Sequence, residues 1–394
     1  MHISHWTLTF TALVSIAGSV SCGDAPTCAA GDQKACACPG GESGVQVCAS
    51  DGSAYETCQC GSGGGGGGAG DGQGGGTAGS GGTSMGGAAP IVPGEPPPPP
   101  YDADAGDSSA PRTFAVTHIY WGSRTFDGVE SAGAWKSFGY DIDHQTTTTS
   151  FGNHCKPRSG AAAASVFPDG DFGIDNAFGK LLVPVLKTAL SSRGDLEEAS
   201  NETISAGQRT LLFDLPTLGT GSNYDPVAGA YFGGRNQTGE DWQKAPSSFN
   251  GDTPKLQFPA AYVREDTWVS GIAEGDLDIS FGGAFVIHLH HVVVTGPLDG
   301  AREQIVHGMI SGVLDTEEFA STIGEYLGAI DVSFCGVAGS GVMNQMRQAS
   351  DIMNDGTQSQ STCNGISIGL GFDAVAVTAV GLAPPDPTPV DPCP

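Results

Sequence analysis

The stretches DISFGGAFVIHLHHVVVT (278–295) and REQIVHGMISGVL (302–314) alternate bulky apolar residues with polar or small ones. Period-two alternation over such lengths is the pattern of strands with one buried face. The intervening GPLDG (296–300) has turn composition, so the pair predicts an antiparallel hairpin turning near Leu298 and Asp299. DTEEFASTIGEYLGAI (315–330) follows, and Asp315 and Glu318 bracket Thr316 as a capping box that opens a helix. Further out, GSGVMNQMRQASDIMND (339–355) predicts a second helix stopping at Asp355-Gly356. GISIGLGFDAVAVTAVGL (365–382) predicts a strand, or a strand pair broken at Gly371. Toward the N-terminus, TFAVTHIYWGS (113–123) puts Phe114, Val116, His118 and Tyr120 on one face of a strand. A helix over 175–192, interrupted at Pro184, a weaker helix over 195–206 and a strand in RTLLFDLPTL (209–218) complete the pattern. These elements make a head of class α+β over residues 112–382, with a mainly antiparallel sheet and three to four helices. A Pro-rich tail, 383–394, follows.

The chain has 394 residues, with 16 basic side chains against 43 acidic ones and a net charge of −27. That leaves no basic footprint for a phosphate backbone and excludes nucleic acid as a partner. Beyond the N-terminus no apolar run reaches the length of a membrane span.

Residues 8–20, LTFTALVSIAGSV, have the length of a signal-peptide core, and small residues lead from it to Cys22. This resembles the lipobox of bacterial lipoproteins, in which such a cysteine is acylated and becomes the mature N-terminus. Ser19 stands where that family prefers an aliphatic residue, and MHISHW lacks the usual Lys or Arg. Ordinary cleavage after Ser21 is the competing reading. Cysteine parity favours acylation: of 11 cysteines, removing Cys22 leaves two even sets. Residues 1–21 therefore read as a signal peptide, and the resemblance implies attachment to the cell envelope through a lipid.

The first set is Cys28, Cys36, Cys38, Cys48, Cys58 and Cys60, within residues 22–60. So dense a set predicts a disulfide-stapled module in place of a hydrophobic core. Zinc is the alternative, but its sites favour C-x2-C spacing and these doublets are C-x-C. The pattern CxC…Q-x-C-x-x-D-G…CxC resembles a module found behind the lipobox of myxobacterial-type surface lipoproteins. There a Gly-rich linker and an uncharacterised C-terminal domain follow. Here residues 61–90 hold 17 Gly, and EPPPPP (95–100) comes next, so 61–111 reads as a disordered tether. The second set lies in the head: Cys335 and Cys363 flank a helix and are expected to pair, leaving Cys155 to pair with Cys393.

No P-loop, Rossmann fingerprint or HExxH occurs. The acidic loop VFPDGDFGIDNAFG (166–179) offers Asp169, Asp171 and Asp175 as oxygen ligands for calcium, with Asp141 and Asp143 as added ligands from GYDIDHQ. Its departures from the EF-hand pattern leave a plain helix-capping turn as the rival reading. His288 and His290 share a strand face, and a turn near Leu298 would bring His307 opposite His290, a zinc-like trio. Together these features describe a lipid-anchored envelope protein displaying a non-enzymatic binding head for a surface ligand. The alternative is a metal-dependent hydrolase or lyase at His288, His290 and His307.

Metabolic labelling in the native host with an alkyne palmitate analogue is expected to tag the protein, and Cys22→Ser to abolish the tag. A tagged Cys22→Ser protein contradicts acylation at that position.

Overall fold

The computed structural model describes residues 33–37, 43–47, 54, 89–101, 108–149, 152–190, 195–236, 241–273, 275–281, 285–385 and 393. The chain divides into two units, residues 1–82 and 83–394. In the first, Gln33–Ala37 pairs antiparallel with Ser43–Val47. The signal segment, Cys22, the pairing of the six-cysteine module and the Gly-rich stretch lie outside the described residues.

The second unit is built on one long sheet, mostly antiparallel, with about five helices. Its principal strands are β1 (Arg112–Tyr120), β2 (Thr210–Leu215), β3 (Gly229–Arg235), β4 (Trp242–Lys244), β5 (Tyr262–Arg264), β6 (Thr267–Val269), β7 (Leu277–Phe281), β8 (Phe285–Pro297), β9 (Gln304–Asp315), β10 (Gly365–Val377) and β11 (Ala379–Leu382). The order across the sheet is β11-β4-β3-β2-β1-β10-β9-β8-β6-β5, with β7 paired to the far end of β8. The pairing of β11 with β4 is parallel. The helices are α1 (Ala163–Val166), α2 (Val183–Ala189), α3 (Leu196–Ser205), α4 (Thr316–Ile330) and α5 (Val337–Gln348). Among the described residues no helix is long and apolar enough to cross a membrane.

The core gathers where strands of both halves present one face. Phe213 has Tyr231, Phe258, Trp268 and Phe372 at ring-centroid distances of 5.5–6.4 Å, and all five are buried. Each such side chain contributes about 1.5–3 kcal/mol by leaving water. α4 opens as its sequence predicts: the Asp315 carboxylate accepts hydrogen bonds from Glu317 N (3.0 Å) and Glu318 N (3.1 Å). Phe319, Ala320, Ile323 and Leu327 of this helix are buried in the core.

Several expectations are corrected. The run 278–295 is not one strand: β7 folds back on the start of β8, pairing Asp278 with His288. Gly371 does not break β10, because the missing Cβ makes room for Phe138, whose ring a methyl group there would meet at 2.3 Å. In β1, Phe114 and Val116 share the core with Ile119, not with His118. A register shift where β1 meets Asp373 and Ala374 of β10 inverts the alternation there.

The boundary of the head also moves. Residues 89–101, expected in the disordered tether, lie against the head in the second unit. Gly94 O accepts from Asp141 N (2.8 Å), Pro97 O from the Tyr262 hydroxyl and Ala89 O from Arg264 Nη2 (3.4 Å). A proline-rich segment loses little entropy on ordering and keeps its carbonyls open as acceptors, so hydrogen bonds suffice to seat it.

The disulfides differ from the expected pairing: Cys155 joins Cys363 and Cys335 joins Cys393. The reason is backbone adjacency. Lys156 N donates to Ser361 O (2.7 Å) and Cys363 N to Lys156 O (2.9 Å), which brings the Cα atoms of Cys155 and Cys363 to 5.1 Å. Sequence proximity around a helix does not produce that approach. The two bridges span 208 and 58 residues, worth about 5 and about 4 kcal/mol on the chain-entropy model.

Peptide mapping without reduction is expected to recover these two pairs. Cys155→Ala/Cys363→Ala should lower the urea stability more than Cys335→Ser/Cys393→Ser, because the first pair is buried against Val166 and Phe167 while Cys335 is exposed. Equal losses would contradict the structural weight given to the buried bridge.

Candidate cation-binding site

Two loops far apart in sequence, 140–147 and 168–176, meet above the middle of the sheet. Asn176 holds them there. Its Nδ2 donates to Trp135 O (3.2 Å), Phe138 O (3.1 Å) and Gly369 O of β10 (3.0 Å), while Oδ1 accepts from Gly179 N (2.8 Å). Asp175, one residue earlier, does not cap the following helix as the rival reading has it. Its Oδ2 instead accepts from Ile142 N (2.7 Å) and Asp143 N (3.2 Å) of the other loop.

The result is a convergence of carboxylates. Asp141, Asp143 and Asp175 each offer an oxygen, and these lie within 4.8 Å of one another, with Asp141 and Asp175 buried. Asp141 Oδ1 and Asp143 Oδ1 both accept from Gln145 N (3.0 and 2.8 Å), and Asp143 Oδ2 accepts from Gln358 Nε2 (2.8 Å). Gly173, at φ +88°, closes over the group: a Cβ there would stand 2.8 Å from Asp141 Oδ2. Asp169 accepts from Thr147 N at the edge of the same layer. Beneath it Asp351 is buried, its oxygens taking Ser367 N (2.9 Å) and Ser367 Oγ (2.5 Å) of β10.

Burial in a crowd of like charges disfavours ionisation. Desolvation, with Asp143 next, pushes Asp141 up to about 6. Desolvation pushes Asp169 up to about 8, against the Thr147 N–H, with Asp143, Asp351 and Asp141 adding repulsion. Asp351 rises to about 7 through burial, against the hydrogen bonds from Ser367. Asp175 lies well above the ordinary carboxylate range for the same first reason, with Asp143 and Asp169 adding to it. The nearby ammonium of Lys180 is turned to Pro168 O (2.6 Å) and Val166 O (3.3 Å), and burial lowers its pKa. An all-oxygen donor set of this charge suits a hard cation such as calcium and is a poor match for soft metals.

Of the residues expected to bind calcium, the structure places Asp175 inside the group and Asp169 at its edge. It puts Asp171 outside, exposed at the start of a short turn. Asp141 and Asp143 supply the other two oxygens. Asp351 had no local signal, since only the pairing of β10 brings Ser367 to it.

The zinc-like trio is not assembled. Asp299 Oδ1 accepts from Glu303 N (2.6 Å) and Gln304 N (2.9 Å), so the hairpin turns about three residues later than its composition implies. His290 therefore faces Val313, while His307 lies beyond the Thr295–Met309 pair, toward the turn. His307 adopts φ +59° in a bulge and stacks on Phe126 at 4.3 Å. The offset from His290 is seven residues, roughly 20 Å along a strand. His288 and His290 do share the outer face of β8, and the hydrogen bond to Asp278 raises the pKa of His288.

No family model matches the chain, and no curated protein or solved structure is found similar to it.

Carboxyls with raised folded pKa values hold their protons more tightly folded than unfolded, so protonation stabilises the fold. In EDTA the head is expected to lose stability as pH rises from about 4, the unfolded carboxyl value, to about 8, the value reached by Asp169. Melting temperatures across that window check the slope. A rise with pH in EDTA would contradict the burial of this group as unpaired carboxylates.

Proposed function

We propose that the protein is a lipid-anchored cell-envelope protein whose head is a non-enzymatic binding module. Its loop layer is locked by a calcium ion held between Asp141, Asp143 and Asp175, with Asp169 at the margin. The observation that carries the calcium reading is the convergence of three carboxylate oxygens within 4.8 Å, two of the residues being buried. At neutral pH such a group either keeps protons or takes a cation, and a divalent ion offsets two of its three charges without protonation. The ion would join residues 140–147, which carry the Gly94 contact of the proline-rich strap, to residues 168–176. It would thus order the surface built on the central strands. The envelope location is supported by the Cys22 context and the glycine-rich tether composition. The binding role is supported by the setting of the head's G-x-S-x-G match, GISIG (365–369), which lies inside β10 with Ser367 buried and donating to Asp351, not at an exposed strand-to-helix turn. The ligand would be a component met outside the cell.

The test is a thermal melt of the full chain in EDTA, millimolar CaCl₂ and millimolar MgCl₂. Calcium at 100 times its Kd adds about 2.7 kcal/mol, or several degrees for a domain of this size. Asp141→Asn/Asp175→Asn should abolish the calcium shift. Equal shifts from both ions, or a shift that survives the double variant, would mean diffuse screening of the −27 charge and no site.

A further inference from the structure

A second cluster of ligating side chains lies at the other end of β8, where β7 folds back. Ile287 and Leu289 are buried, so His288 and His290 emerge on the opposite, half-exposed face. β7 and the residue just before it supply a carboxylate to each. His288 Nδ1 lies 2.6 Å from Asp278 Oδ1, its cross-strand partner, and His290 Nδ1 lies 2.7 Å from Asp276 Oδ1, two residues earlier. An ionised carboxylate only accepts hydrogen bonds, so each Nδ1 carries the hydrogen. When neutral, each imidazole then presents its lone pair at Nε2.

Both Nε2 atoms face the same group. Glu318, in the first turn of α4, places Oε1 3.9 Å from His288 Nε2 and Oε2 3.5 Å from His290 Nε2. Two lone pairs and a carboxylate facing one another repel unless positive charge lies among them. We propose that His288 Nε2, His290 Nε2 and the Glu318 carboxylate are the three protein ligands of a zinc-class divalent ion, with Asp278 and Asp276 orienting the imidazoles from behind.

The donor set is the two-histidine, one-carboxylate kind that keeps a coordination position open to water. Carboxylates on the far ring nitrogens are the usual means of fixing the tautomer of a metal-bound histidine. Ligands about 2.1 Å from a tetrahedral ion stand about 3.4 Å apart. The observed 3.5 and 3.9 Å run to the two different oxygens of Glu318, and the three donors do not all lie within 4.8 Å of one another, so binding requires the 46% exposed Glu318 side chain and the imidazoles to close in on the ion. Nitrogen donors also separate this site from the aspartate group, which offers oxygen alone. The assignment does not depend on the calcium reading.

The test uses the full chain in millimolar CaCl₂, so that the aspartate group is occupied or screened, titrated with Co²⁺ and then Zn²⁺. One cobalt equivalent per chain should give the visible band of a four- or five-coordinate ion, displaced by zinc. His288→Ala/His290→Ala should remove that equivalent, and Asp278→Asn should weaken cobalt binding about ten- to a hundredfold. Asp141→Asn/Asp175→Asn should leave it intact, which separates this site from the calcium site. Glu318→Gln, a change at an exposed position, should weaken binding with an unchanged melt in EDTA. No band in the wild-type protein, a band surviving the histidine double variant, or unchanged affinity in Glu318→Gln would each overturn the site.

Discussion

The side-chain amide of Asn176 touches three backbone carbonyls, Trp135 O, Phe138 O and Gly369 O, and accepts from Gly179 N. Everything above the middle of the sheet is referenced to that buried group. β10 can accept the contact because Gly369 has no side chain; a Cβ there would stand 2.1 Å from Phe138 O. A buried amide left unpaired costs on the order of 1–3 kcal/mol, so the loops and the strand must form together. Once Asn176 is fixed, Asp175 is fixed beside it, and its carboxylate reaches the 140–147 loop.

The acidic layer follows from that constraint. Asp141, Asp143, Asp169, Asp175 and Asp351 come from three regions of the chain, and holding them close together is costly when all are ionised. Their hydrogen bonds come mainly from backbone N–H groups and from Ser367 and Gln358, which carry no charge. Geometry is thereby fixed while the charge is left for protons or a cation. The histidine cluster is built differently. There each imidazole already has its own carboxylate, and Glu318 is added by the capped start of α4. One fold thus offers two donor sets of distinct chemistry, oxygen-only and mixed nitrogen–oxygen.

Much of the fold was legible. The hairpin of β8 and β9, the capped α4, the strands of 112–120 and 210–215 and the helix of 196–205 all follow local patterns of period, cap and turn residue. What local pattern missed were places where a neighbouring strand decided the phase. The bulge in β1 and the backfold of β7 onto β8 shift which residues share a face, and no propensity records a shift made by a partner strand. Composition also misread 89–101, since a proline-rich stretch can be ordered by the acceptors it offers as readily as left in solvent.

By itself the sequence determined the strongly acidic charge, the dense run of cysteines over 28–60 and a mainly antiparallel α+β head. Each rests on composition or on periodicity within a single element. It also marked the acidic loop with Asp141 and Asp143, and the paired histidines with His307, as candidate ligand sets without deciding which of these residues meet. Only the tertiary structure decided that Cys155 meets Cys363, that Asp141 and Asp143 join Asp175 while Asp171 turns outward, and that Glu318 and not His307 faces His288 and His290. The physical reason is the same in each case: these are contacts across the sheet or between loops. They are set by register, by where Asp299 closes the turn and by which backbone groups Asn176 must satisfy, and none of these is a property of the residues near the site in sequence.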